Sequence, residues 1–149
     1  MTYGSTIRVE VMRPGAEVRV LEAAHLFDHR VHASAVHAFL ADDRHHLLLA
    51  YVEGKPAGFV SAVELLHPDK MKPETFLYEL GVDPEFRRIG VATELLSELI
   101  RLCRDRGCGE MFVLTDETND AAMATYRKAG GRREPDQVMF YWPWSVRES

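Results

Sequence analysis

The sequence predicts an α/β chain, a mixed sheet with helices packed on it. Three observations carry this. Alternating or continuous apolar runs of strand length recur through the first half, separated by Gly, Pro and Asp breaks. A long amphipathic helical pattern follows over residues 89–106. Between them lies a short basic junction, Asp83-Pro84-Glu85-Phe86-Arg87-Arg88-Ile89-Gly90.

Taken in order, residues 7–12 alternate, with Ile7, Val9 and Val11 against Arg8 and Glu10, as a half-buried strand does. Pro14-Gly15 breaks it. Val20, Leu21, Ala24, Phe27 and Val31 recur at helical spacing and predict a helix over residues 17–31. Residues 34–40 predict a second short helix, and Asp42-Asp43-Arg44 a polar break. Residues 46–52 form a near-continuous apolar run, hence a buried strand. Glu53-Gly54-Lys55-Pro56 turns into a strand over residues 57–66, giving a hairpin. A polar loop with two prolines over residues 67–73 precedes a strand over residues 74–82. In the helix over residues 89–106, Ala92, Leu95, Leu96, Leu99, Ile100 and Cys103 make one stripe, and Gly107 stops it. A short strand over residues 111–114, a helix capped by Thr118 or Asn119 and running to Lys128, and a strand over residues 138–142 complete the order β-α-α-β-β-β-α-β-α-β.

The bulk numbers bound the function. A chain of 149 residues is one domain of ordinary size, 46% hydrophobic and 28% charged. No apolar run approaches the roughly 20 residues that span a bilayer, and the N-terminus lacks a secretory layout. A cytoplasmic location is therefore expected. A net charge of −5 argues against a nucleic-acid partner. Cys103 and Cys108 have no metal spacing. His25 and His29 sit one helical turn apart, but Leu26, Phe27 and Asp28 between them exclude a zinc-protease motif, so no metal site is expected.

The junction at Gly90 is where chemistry concentrates. A strand, a basic glycine loop and a helix start in that order make an anion site, because first-turn N–H groups lack intrahelical partners. Gly90 and Ala92 keep the helix end bare, and Arg87 and Arg88 add charge-assisted donors. Neither a P-loop nor a dinucleotide fingerprint is present. Taken alone, the loop reads more simply as a solvated turn.

Arg87-Arg88-Ile89-Gly90-Val91-Ala92 resembles the Gln/Arg-x-x-Gly-x-Gly/Ala motif of the GNAT N-acetyltransferases. The segment from Asn119 through Ala122 and Tyr126 to Gly130 resembles that family's Asn-x-x-Ala-x-x-x-Tyr-x-x-x-Gly. The resemblance implies the GNAT fold, with residues 76–82 and 111–114 as two parallel strands that splay to admit acetyl-CoA. It implies that Leu80, Gly81, Val82, Arg87, Arg88, Ile89, Gly90, Val91, Ala92, Thr93, Asn119 and Ala122 bind that cofactor. It implies that a backbone N–H near Leu80, Gly81 or Val82 serves the thioester carbonyl, and that Tyr126 reaches the sulfur. A phenol near pKa 10 and a thiolate near 8.5 make a hydrogen bond a safer role than proton transfer.

Glu79 is the base candidate. It ends an apolar strand and shares a face with Gly81. A reference carboxyl near pKa 4.3 binds an alkylammonium near 10 well but deprotonates it poorly unless burial raises it. The plain alternative is a strand-edge carboxylate paired with an arginine. Asp116, Glu117 and Asp120 form an acidic run that is either a solvated loop or a cation-binding wall. With Glu79 that wall would suit a polycation.

Tyr78-Glu79-Leu80-Gly81-Val82, the Arg87–Thr93 run and the segment from Ala122 to Gly130 look most like the GNAT-type aminoglycoside 3-N-acetyltransferases, and Leu26-Phe27-Asp28 also fits. That likeness implies acetylation of a 3-amino group, with Asp28, Tyr78, Glu79, Asp116, Glu117 and Asp120 at the acceptor. Two departures bear on the substrate: Glu79 stands where those enzymes tend to carry Asp, and Phe140-Tyr141-Trp142 where they tend to carry His-Phe-Asp. Another amine (a polyamine or a protein lysine) and a non-catalytic acyl-CoA-binding module remain as alternatives. The aromatic tail over residues 140–144 is a candidate strand for a homodimer.

Overall fold

The structure, a computed structural model, describes residues 6–145. Residues 1–5, on which the expectation of no secretory signal bears, lie outside it. The chain divides into two compact units at Leu114/Thr115.

The first unit is one sheet in the order β1-β2-β3-β4-β5. Its strands are β1 (Ile7–Met12), β2 (His45–Val52), β3 (Lys55–His67), β4 (Lys70–Val82) and β5 (Glu110–Val113). The first four are antiparallel neighbours, and β4 and β5 are parallel. Alternation sorts the side chains onto two faces. Helix α3 (Val91–Asp105) buries Val91, Leu95, Leu96, Leu99 and Cys103 on one face. Gly58 makes this possible, because a Cβ there would lie 2.9 Å from a Val91 methyl and 2.8 Å from the Gly81 carbonyl oxygen. On the other face, α1 (Glu17–Glu22) and α2 (Ala33–Ala41) enclose Met12, Val20, Leu40, Leu47, Leu49 and Phe59.

Three predicted elements are corrected. The helix expected over residues 17–31 ends at Glu22, passes through a 3-10 turn at Ala24–Leu26, and leaves Phe27 extended. Phe27 and Val31 still pack on the core cluster, so apolar spacing marked burial rather than helix. The loop expected over residues 67–73 is instead a tight hairpin. His67 pairs with Lys70 around Pro68-Asp69, and Pro73 lies within β4. The strand expected over residues 138–142 does not form: the tail has no strand, and its large apolar side chains are exposed, Trp144 to 89%. A strand exists by virtue of a ladder partner, and no described strand forms a ladder with this segment.

The second unit carries α4 (Asp120–Lys128). The Asn119 side chain caps it, accepting a 3.1 Å hydrogen bond from the Ala122 N–H. Gly130, at φ +95°, ends it.

Candidate active site

A bulge in β4 aims the central carboxylate. Ser61 pairs with Glu79, but the next β3 residue, Ala62, pairs with Leu77, so Tyr78 is the extra residue. Leu77 stays buried towards α3 while Tyr78 and Glu79 both turn into a cleft on the opposite face. The bulge was missed in the sequence. Its trace is the spacing of three between Leu77 and Leu80, where alternation requires two or four.

The cleft has a volume of about 600 Å³. Its floor is β3 and β4 (Ser61, Phe76, Tyr78, Glu79), and its walls are Phe27 to His32 and α2. Glu79 reaches solvent at the mouth, yet partial burial raises its carboxyl pKa. The Asp28 carboxylate raises it further and His29 opposes the rise. Asp28 and Tyr78, both predicted acceptor residues, line the same space. Histidines 29, 32 and 45, Phe39 and Ser61 were not predicted to do so. Only the folded positions of the segment before α2, of α2 and of strands β2 and β3 bring them in, and no local motif marks them.

Beside this cleft β4 parts from β5. Their ladder runs from Glu74↔Glu110 to Leu77↔Val113 and stops, while β4 continues to Val82. The Asp83 N–H donates to the Ala57 carbonyl at 2.8 Å. Antiparallel alternation then turns the amides of Leu80 and Val82 away from β3, to the side β5 has vacated. Gly81 is a glycine for a nearer reason: a Cβ there would sit 2.7 Å from the Phe59 ring.

The junction to α3 is tied down and its tip left open. Asp83 accepts from the Glu85 N–H at 2.8 Å, and Phe86 is buried. Arg87, Arg88 and Ile89 are exposed, with Arg88 at φ +64° and Gly90 at φ +96°. No side chain caps α3, which starts at Val91 rather than Ile89. The N–H groups of Val91, Ala92 and Thr93 therefore emerge uncapped between two arginines and a bare glycine. That donor set fits a pyrophosphate.

Within the second unit, the predicted residues have local partners. Asp116 accepts from the Thr118 N–H at 2.8 Å and its hydroxyl at 2.6 Å, and Glu117 pairs with Arg133. Asp120 is exposed in the first turn of α4. Burial pushes the Tyr126 phenol up, keeping it a hydrogen-bond donor.

Among the described residues no group of three or more metal-binding side chains occurs. His25 contacts Asp83, His37 Glu17, His46 Glu64 and His67 Glu74. Burial raises the Cys103 thiol pKa, which keeps it protonated.

The parted parallel strands and the uncapped helix between them define an acyl-CoA-type architecture, and comparison with known proteins agrees. A sequence model of the acetyltransferase (GNAT) family matches residues 17–131, and the chain belongs to that family. It is 30% identical over 94 residues to human N-acetyltransferase 8, covering 63% of this chain and 41% of that protein. The chain thus spans less than half of that relative. An aminoglycoside acetyltransferase from an uncultured soil metagenomic sample superposes with a TM-score of 0.80 at 28% identity, over 94% of this chain and 99% of that one. Aminoglycoside N-acetyltransferase AAC(6')-Iy in complex with CoA superposes with a TM-score of 0.71 at 26% identity, over 97% and 99%.

Proposed function

We propose that this chain is an acetyl-CoA-dependent N-acetyltransferase acting on an amino group of a small cationic molecule. Kinship supports an aminoglycoside as acceptor, and the sequence resemblance supports its 3-amino group. The observation that carries the amine reading is Glu79: a carboxylate with a raised pKa, at the mouth of a cleft, on the strand that parts from β5.

Acetyl-CoA supplies the acetyl group as a thioester. Arg87, Arg88 and the first-turn amides of α3 hold its pyrophosphate, and the turned amides of Leu80 and Val82 are donors for a carbonyl oxygen. Glu79 binds the incoming ammonium and takes its proton, directly or through water. Asp28 assists by lifting the Glu79 pKa towards that task. Tyr126 retains its phenolic proton and donates a hydrogen bond to the departing thiolate.

Thiol release from acetyl-CoA, followed over a panel of kanamycin- and gentamicin-type compounds, tests the reading. Product mapping then separates the 3-amino from the 6'-amino group. Glu79→Gln is expected to lower kcat about 100-fold, in the usual range for loss of a general base. A chain that binds acetyl-CoA but releases no thiol with any amine would be a binding module, and the enzyme reading would fall.

A further inference from the structure

We infer that the cleft in front of Glu79 takes a second class of acceptor, a primary amine with one positive charge carried on an apolar or aromatic body, and takes it in preference to a linear polyamine. This rests on Glu79 marking the acceptor site.

The charge of the lining comes first. Among the described residues, Asp28 and Glu79 are its only carboxylates and Arg30 its only fixed cation. Two carboxylates against one guanidinium leave a single net negative charge, which one ammonium neutralises. His29, His32 and His45 also line the cleft, and protonating any of them would make it less hospitable to further cations.

The remaining wall is apolar. Phe27, Val31, Phe39, Phe76 and Tyr78 line it together with aliphatic side chains. Phe76 stacks on Phe112 with ring centroids 4.7 Å apart and planes 4° apart, and Tyr78 meets Phe76 edge-on at 5.4 Å. Tyr78 remains 64% exposed. Adjacent to Glu79, it offers an aromatic surface to an ammonium held by the carboxylate. A polyamine laid along these walls would leave its other ammonium groups unpaired and desolvated. An aminoglycoside meets the same terms by entering with one ring and leaving its other ammonium groups outside the lining.

The transfer balances without a further reagent. The ammonium loses one proton to Glu79 or water, and its nitrogen forms the bond to the acetyl carbon as the carbon–sulfur bond breaks. The second proton shed by nitrogen balances the thiolate as thiol.

The experiment compares phenethylamine with spermidine on the full chain, by thiol release and by mass of the acetylated product. The expected kcat/KM for phenethylamine exceeds that for spermidine at least tenfold. Ala35→Glu, which adds a carboxylate to the lining, is expected to shift the ratio at least fivefold towards spermidine. Spermidine turnover equal to or above that of phenethylamine overturns the inference while leaving the acetyltransferase reading intact. No thiol release with any amine, kanamycin included, overturns both.

Discussion

Ser61 and Glu79 stand directly opposite each other in β3 and β4, on the face that lines the cleft. The Ser61 hydroxyl oxygen is buried and has no hydrogen-bond partner. Cross-strand partners have Cβ atoms about 5 Å apart, so rotation about χ1 brings the hydroxyl within reach of the carboxylate or of an ammonium bound there. The hydroxyl adds no hydrogen bond to the free protein, and a charged group bound at the site would supply it with a partner. Ser61→Ala should therefore leave stability within about 1 kcal/mol of wild type and raise KM for the amine about 3- to 10-fold. Thermal melts and steady-state kinetics on one preparation check this. An unchanged KM would mean that the hydroxyl is not used.

The proposed base role of Glu79 requires the ionised carboxylate, so its raised pKa is expected to set the acid limb of the kcat/KM profile above the ordinary carboxylate range. The groups around it are Asp28, His29, Arg30 and His32 from the segment before α2, His45 from β2 and Tyr78 from β4. Asp28 raises the pKa and His29 lowers it. Asp28→Asn should move the limb to lower pH, and His29→Gln should move it higher. Stability carries the same sign. A folded pKa above the unfolded value means that the native state binds more protons, so stability falls as pH rises from the unfolded pKa through the folded one. Glu79→Gln should then raise Tm at pH 8 and change it little below pH ~3, well under the reference carboxyl pKa of about 4.3.

The sheet was legible because its strands announce themselves locally. β1 alternates and β2 is continuously apolar, and both came out within a residue of their predicted bounds. The stripe on α3 was equally plain. What failed depended on partners distant in sequence. Phe27 and Val31 have helical spacing but are buried by tertiary packing without a helix. The pairing of residues 67–73 is dictated by a hairpin register that Pro73 conceals. The candidate site divides the same way: Gly90, Arg87 and Glu79 are proposed from their sequence neighbours alone, whereas Ser61, His45 and Phe39 come to line one cleft with Glu79 only through β-sheet register and helix packing.

Glu64 joins α3 to the sheet. It is buried, contacts His46 Nε2 at 2.5 Å and accepts from Arg106, whose guanidinium also donates to the Asp43 carbonyl at 3.1 Å. Burial alone would raise the Glu64 pKa, but the hydrogen bonds from His46 and Arg106 and the charge of Arg106 outweigh it and hold the carboxyl below its usual range. For such a depressed acid, the stabilisation is present above the unfolded pKa and is lost as pH falls through the folded one. Glu64→Ala should cost about 2 kcal/mol at pH 7, since it strands a buried imidazole and a partly exposed guanidinium. The deficit should shrink as pH drops below ~4. Denaturant midpoints at pH 7 and pH 3.5 check both sign and window.

In the proposed cofactor site, the open end of α3 would make two separable contributions to binding, shape and charge. Gly90 caps the helix at φ +96° and ψ 12°, and a Cβ there would meet only an Ile7 methyl at 3.9 Å. The obstacle to a side chain is therefore conformational, about 1 kcal/mol for an alanine held in a left-handed geometry. Gly90→Ala should weaken acetyl-CoA binding by changing how the amides of Val91, Ala92 and Thr93 are presented, a loss that salt does not alter. Arg87→Ala and Arg88→Ala remove point charges from an exposed loop. Their effect should be large at low ionic strength and shrink as the Debye length contracts from about 30 Å at 0.01 M to about 10 Å at 0.1 M. Calorimetric Kd values for acetyl-CoA at those two salt concentrations separate the contributions. If all three variants bind as wild type does, the pyrophosphate is held elsewhere and the junction is only a turn.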